Sequence, residues 1–113
     1  MQRMTRRQDF LAAAKAVSLG TPGFLLQARD RKDDGGPRVG FTCTKKLGNA
    51  VARNRIKRRL REIVRLGLGP LVQGSHDYVL VGRSAAATRD FQKLQADLIS
   101  ALSKIHDQQV ERK

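Results

Sequence analysis

The sequence predicts a small α/β sandwich with its elements in the order α-β-β-α-β-α. Three observations carry that expectation. At 113 residues and 40% hydrophobic content, the chain has the length and apolar supply for one domain with a core. Apolar residues recur at helical spacing in two long stretches and alternate or run together in three short ones. A strand, a helix and another strand follow one another across the middle of the chain, which suggests a β-α-β unit with a parallel pair.

The first helix begins near Thr5, whose spacing to Gln8 is that of a capping box, and continues through the alanine-rich stretch from Phe10 to Val17. Gly20-Thr21-Pro22-Gly23 is a cluster of breakers that stops it. Phe24 to Ala28 reads as a short strand. The polar loop Asp30 to Pro37 suits a hairpin connection to the next strand, Arg38 to Thr44, where Val39, Phe41 and Cys43 alternate with smaller residues.

Asn49 is a plausible N-cap for a helix reaching Leu66, closed by Gly67 and Gly69-Pro70. On a helical wheel Ala52, Ile56, Leu60, Ile63 and Val64 share a stripe of about 120°, the width of a core-facing side. Asn54, Arg55, Arg58, Arg61 and Arg65 fall opposite, with Lys57 and Arg59 on the flanks. Arg53 breaks the pattern, because its azimuth lies within the apolar stripe. It either emerges past the sheet edge or is held there for a ligand. Tyr78 to Val81 reads as a buried strand, and Phe91, Leu94, Leu98, Ala101, Leu102 and Ile105 mark a last amphipathic helix. Residues 106–113 read as a disordered tail to a single domain spanning 1–113.

Charge narrows the function. The chain holds 23 Lys and Arg against 10 Asp and Glu, a net charge of +13. Nine of those cations lie between Lys45 and Arg65 against Glu62 alone, so +8 of the excess sits in one segment. Like charges at helical spacing destabilise the helix that carries them, so a focused patch points to a polyanionic partner. Six arginines from Arg53 to Arg65 offer planar, bidentate contacts to phosphate. Lys45-Lys46-Leu47-Gly48-Asn49 adds two lysines and a helix start, where free N–H groups favour an anion. A strand before this helix argues against a helix-turn-helix DNA reader. Four Phe, one Tyr and no Trp argue against a base-stacking sheet. Recognition of RNA by shape and phosphate fits better.

Other chemistries find little support. No apolar run approaches the ~18 residues that span a bilayer, and the N-terminus leads into no long apolar stretch, so neither a membrane segment nor a secretory signal is expected. The lone Cys43 alternates with core positions and reads as a small buried hydrophobe. Asp33 and Asp34 are the only adjacent carboxylates and sit in a turn, while His76 and His106 are far apart in sequence. No catalytic residue and no metal ligand is therefore assigned to this chain.

Three runs then become recognisable: Arg38-Val39-Gly40-Phe41, Lys45-Lys46-Leu47-Gly48-Asn49-Ala50-Val51, and Arg53-Asn54-Arg55-Ile56-Lys57-Arg58-Arg59-Leu60-Arg61-Glu62. Together they closely resemble the bacterial ribonuclease P protein family, whose hallmark is the Arg-Asn-Arg element. Asp9-Phe10, Phe24-Leu25-Leu26 and Asp77-Tyr78-Val79-Leu80-Val81 with Arg83 extend the similarity over nearly the whole chain. The resemblance implies an α/β (α+β) two-layer sandwich, with a four-stranded mixed sheet and three helices. It adds a short strand near the breaker cluster and a left-handed β-α-β crossover, against the right-handed default. It also implies a protein subunit that assists a catalytic RNA in removing the 5′ leader of precursor tRNA in the bacterial cytoplasm. Mg2+ would be held mainly by the RNA, with no cofactor on the protein and neither membrane nor DNA as partner.

By the same resemblance Lys45, Lys46, Asn49, Arg53, Asn54, Arg55, Lys57, Arg58, Arg59 and Arg61 face the catalytic RNA. A cleft between the first helix and the sheet, with Phe10, Ala14, Phe24 and Gln27, takes the leader. Ala14 stands where many members have a second phenylalanine, and Gln27 where some have tyrosine, so backbone contacts weigh more than stacking here. Phe10 equally suits a core position. The alternative function is a structural RNA-binding protein, ribosomal or chaperone in type, with no processing role.

Overall fold

The computed structural model describes residues 2–67 and 74–111. Its elements are β1 (Gln2–Arg3), α1 (Arg7–Ala14), β2 (Val17–Gly20), β3 (Phe24–Asp30), β4 (Arg38–Thr42), α2 (Ala50–Gly67), β5 (His76–Gly82) and α3 (Phe91–Glu111). Short 3-10 turns at Lys45–Leu47 and Ser84–Ala87 precede α2 and α3.

The five strands form one mixed sheet in the order β1-β4-β5-β3-β2. β4 and β5 are parallel neighbours joined through α2, from Arg38 opposite Asp77 to Thr42 opposite Val81. β5 and β3 are antiparallel, as are β3 and β2. This order corrects the expected hairpin between the strands flanking Asp30–Pro37. The parallel crossover inserts β5 between them, so β3 and β4 never pair.

The strand count is corrected as well, from four to five. β2 is the short strand near the breakers that the resemblance implies. Its Val17 and Leu19 turn inward while Ser18 and Gly20 stay exposed, a two-residue period hidden behind the helix-forming alanines. β1 is the addition: Gln2 and Arg3 lie parallel to Arg38 and Val39, and Met4 N–H donates to the Val39 carbonyl at 2.9 Å.

Strand alternation divides the interior in two. Phe24, Leu26, Val39, Tyr78 and Leu80 face α2 and α3, meeting Ile56, Leu60, Ile63, Leu94, Leu98 and Leu102 in the main core. The opposite face carries Val79 and Val81, covered by Met4, Phe10 and Ala13. Helices thus lie on both faces, three layers in place of the expected two-layer sandwich.

Capping follows the sequence at α2 and departs from it at α1. Asn49 Oδ1 accepts the Ala52 N–H at 3.0 Å, as an N-cap should. The Thr5–Gln8 capping box does not form: the cap is Arg6, in extended conformation and without a side-chain bond. Of the expected tail 106–113, the helical backbone of α3 reaches Glu111 and His106 touches Tyr78, while 112–113 lie outside the described residues.

Candidate nucleic-acid interface

α2 carries the charge on one side because the other side is committed to the core. Ile56, Leu60, Ile63 and Val64 are buried, while Asn54, Arg55, Arg58, Arg61 and Arg65 are exposed. Lys45 and Lys46 stand exposed on the 3-10 turn just before it. Gly48 breaks that turn at φ +117°, a left-handed conformation that favours glycine and swings the chain into Asn49 and the helix. Two lysines, a capping asparagine and an arginine face thereby follow one another along one edge.

The cations are not equivalent. Arg59 donates from Nη1 to the Ala87 carbonyl at 2.9 Å and from Nη2 to the Arg89 carbonyl, tying α2 to the turn that leads into α3. Arg55 Nε also reaches Ala87, at 3.0 Å. Arg65 is held by Glu62 one turn back. Arg59 is thus first a structural clamp, and Arg58 and Arg61 present the freer guanidinium groups. Arg61 also lies above the Phe41 ring, 6.0 Å from its centroid.

Arg53 resolves into its anomalous azimuth. It is half-buried, and its Nε is enclosed without a hydrogen-bond partner among the described residues. It lies close enough to Cys43 to act on the thiol. Burial nevertheless pushes the Cys43 thiol up by more than Lys57, Arg53 and Arg61 draw it down, although Cys43 is half-buried at the margin of the main core and not the fully buried position expected.

Beside α2, two adjoining pockets of about 250 and 450 Å³ open between the N-terminal segment, β4 and α2. Both are lined by Thr5, Phe10, Phe41 and Lys57. Phe10 packs against β4, where a Cβ on Gly40 would come within 2.6 Å of two of its ring carbons. Gly40 is therefore what lets the ring settle there.

The four cleft residues expected from the resemblance do not share one surface. Phe10 and Gln27 are on the α1 side, Gln27 paired with Val79 and largely buried. Ala14 is exposed at the end of α1. Phe24 is fully enclosed in the main core on the opposite face, a correction that strand parity explains, since residues 24 and 27 are three apart.

Sequence reasoning missed Phe41 and a network centred on Asp77. The fully buried Asp77 carboxylate accepts from Arg38 at 2.7 Å through both oxygens and from Arg31 Nη1 at 2.5 Å. Arg38 and Arg29 each reach on to Asp9 of α1, at 3.4 and 3.5 Å. Strand periodicity could have shown Arg38 and Asp77 on the α1 face together, but only with their parallel register in hand. Among the described residues no three His, Cys, Asp or Glu gather as metal ligands, and no helix is long and apolar enough to cross a membrane.

Comparison with known proteins decides what carries this edge. A sequence model of the family described as Ribonuclease P matches residues 1–106. The chain belongs to the ribonuclease P protein family. The ribonuclease P protein component of Ruegeria pomeroyi is 53% identical over 107 residues, covering 91% of this chain and 85% of that one. That of Caulobacter vibrioides is 49% identical over 102 residues, covering 89% and 68%. Among solved structures, the RNase P protein of Staphylococcus aureus superposes with a TM-score of 0.74 at 28% identity, covering 91% of this chain and 94% of that one. The Thermotoga maritima RNase P protein gives the same score and identity over 93% and 98%. This chain is accordingly the protein component of a ribonuclease P, a ribonucleoprotein of tRNA processing.

Proposed function

We propose that the edge running from Lys45 and Lys46 along the exposed face of α2 is the surface that meets the catalytic RNA of ribonuclease P. Arg58 and Arg61 make its phosphate contacts, with Asn49, Asn54, Arg55 and Lys57 beside them and Arg53 held ready by its unspent Nε. Arg59 contributes by fixing α2 against the turn at Ala87. The groove at Phe10 receives the single-stranded 5′ leader of precursor tRNA, with Gln27 and Ala14 along the α1 side. The whole chain, 1–113, acts as one RNA-binding domain in the cytoplasm, and the β4-α2-β5 crossover is assigned the left-handed sense of the family.

Catalysis and Mg2+ are assigned to the RNA. Asp9 and Asp77, the carboxylates nearest the groove's side of the sheet, are engaged by Arg29, Arg31 and Arg38, so they do not suit a protein-held Mg2+. What the protein supplies is neutralisation of phosphates and a hold on the leader, both of which lower the magnesium the RNA needs.

The observation that carries this reading is the concentration of exposed cations on one helix face with an aromatic groove directly beside it. Reconstitution with the cognate catalytic RNA at low magnesium tests it. Addition of the protein should stimulate 5′ cleavage of precursor tRNA. Cleavage unchanged by the protein would overturn the reading, as would cleavage by the protein alone.

A further inference from the structure

Arg3, Arg6 and Arg7 are a second run of cations, outside the edge that α2 carries, and all three are exposed. The fold brings two of them to α2. Arg3 and Lys57 line one of the two pockets beside β4, and Arg7 and Lys57 line the other. Strand parity places these pockets at the margin of the sheet. Val39 and Phe41 belong to the α2 face and Gly40 to the α1 face, so a cavity lined by all three reaches round the edge of β4. β1 covers that edge only as far as Val39, whose carbonyl accepts from Met4. Alternation turns the Phe41 N–H to the same side, beyond the end of β1.

Ion pairing sets these cations apart from their neighbours. Arg29, Arg31 and Arg38 are each held by Asp77, Arg65 by Glu62 and Arg89 by Asp97. Among the described residues no carboxylate pairs with Arg3, Arg7 or Lys57, and none lines either pocket. Like charges gathered round one opening repel one another, and an anion between them relieves that repulsion. Lys57 also stands on the flank of α2, so a backbone crossing the exposed face of that helix reaches the pockets without leaving cationic surface.

We propose that Arg3 and Arg7, together with Lys57, seat phosphodiester groups of the catalytic RNA where its backbone passes round the edge of β4. The interface then continues from α2 onto the N-terminal segment. The proposal rests on the catalytic-RNA reading above and extends it to two residues which that reading leaves out. Guanidinium groups suit the task through planar, paired contacts to phosphate oxygens. Thr5, which lines both pockets, and the Phe41 N–H add neutral donors at the same place.

The test follows binding of the catalytic RNA across a salt series for wild type, Arg3→Gln, Arg7→Gln, Arg58→Ala and Lys104→Gln. Arg3→Gln and Arg7→Gln should each flatten the log–log slope by about 0.7 to 1, the share of one phosphate contact. Lys104, exposed on α3, controls for net charge, and Lys104→Gln should keep the wild-type slope. With the catalytic RNA saturated by protein, the Arg3→Gln/Arg7→Gln double variant should discriminate leader-bearing from leaderless tRNA as wild type does. Wild-type slopes in Arg3→Gln and Arg7→Gln, with a flattened one in Arg58→Ala, overturn the proposal and leave the α2 reading standing. Equal flattening by Lys104→Gln overturns it too, since bulk charge would then explain the effect. So does a double variant with an unchanged slope and lost discrimination, which would assign the seat to the leader. If Arg58→Ala also keeps the wild-type slope, the catalytic-RNA reading falls and this proposal with it.

Discussion

Arg38 and Asp77, paired across the parallel β4–β5 junction, form a two-pronged fork with Nε and Nη2 each 2.7 Å from a carboxylate oxygen. Arg31 closes on the same carboxylate from the loop after β3, and Arg38 extends to Asp9 on α1. One buried anion thereby ties the sheet, the loop and the helix that carries Phe10. Removing one member of a buried ion pair strands the others, at a cost of about 3–5 kcal/mol. Asp77→Asn should lower stability by about 3 kcal/mol in urea unfolding at neutral pH. A loss of well under 1 kcal/mol would show that the arginines find other partners.

The same group sets an acid limit. Burial pushes the Asp77 carboxyl up, but the hydrogen bonds and charges of Arg38 and Arg31 outweigh it and leave it below the usual carboxylate range. Its contribution is therefore full above the unfolded value of about 4 and is lost as pH falls through the lower folded value. Tm should drop in that window, and Asp77→Asn should lack this part of the drop.

A second pH dependence lies at the same end of β5, on the other face of the sheet. His106 Nε2 is 2.9 Å from the Tyr78 hydroxyl, and His76 stacks on the Tyr78 ring at 5.7 Å. Burial pushes His106 down, as does the neighbouring His76, against a smaller opposing effect from Asp107. Below pH about 6.5 the unfolded chain takes up a proton that folded His106 refuses, so stability falls with pH there. Melting curves from pH 7.5 to 5.5 should show that fall in the wild type and a flatter line in His106→Gln. Equal slopes would contradict it.

Gly40→Ala places a Cβ 2.6 Å from the Phe10 ring carbons. The ring must leave its seat, costing about 1–3 kcal/mol of stability. Affinity for leader-bearing tRNA should fall while affinity for the catalytic RNA holds. A crystal structure of the variant with Phe10 unmoved would refute this.

Arg59 and Arg58 are neighbours in sequence with separate tasks. Arg59→Ala removes the clamp on Ala87 and Arg89 and should cost about 1–2 kcal/mol of stability. Arg58→Ala should stay within about 0.5 kcal/mol of wild type. Urea titrations of the two variants side by side distinguish the roles, and equal stabilities would erase the distinction.

How much of this was legible depends on how local each signal is. α2 reads directly, because Asn49 caps it and Ile56, Leu60 and Ile63 mark its buried side, while the Gly69-Pro70 pair expected to close it lies outside the described residues. β2 was masked by the alanines before it, and a two-residue strand such as β1 leaves no periodicity to read. The order of β3, β5 and β4 depends on a crossover that no short-range pattern encodes. Within the site, the exposed arginines follow from the helical wheel, and the exclusion of Phe24 follows from its parity with Gln27. The clamp at Arg59 and the groove at Phe41 do not, because both join segments that are separate in sequence and that only the fold brings together.

The central claim is that the solvent face of α2 touches RNA phosphates, and the salt dependence of binding measures that interaction most directly. Binding of the catalytic RNA by wild type, Arg58→Ala and Arg61→Ala, followed across a salt series, gives a log–log slope for each. Each substitution should flatten the slope by about 0.7 to 1, the amount that neutralising one phosphate contributes. Slopes unchanged in both variants would place these arginines on a merely solvated face and contradict the account.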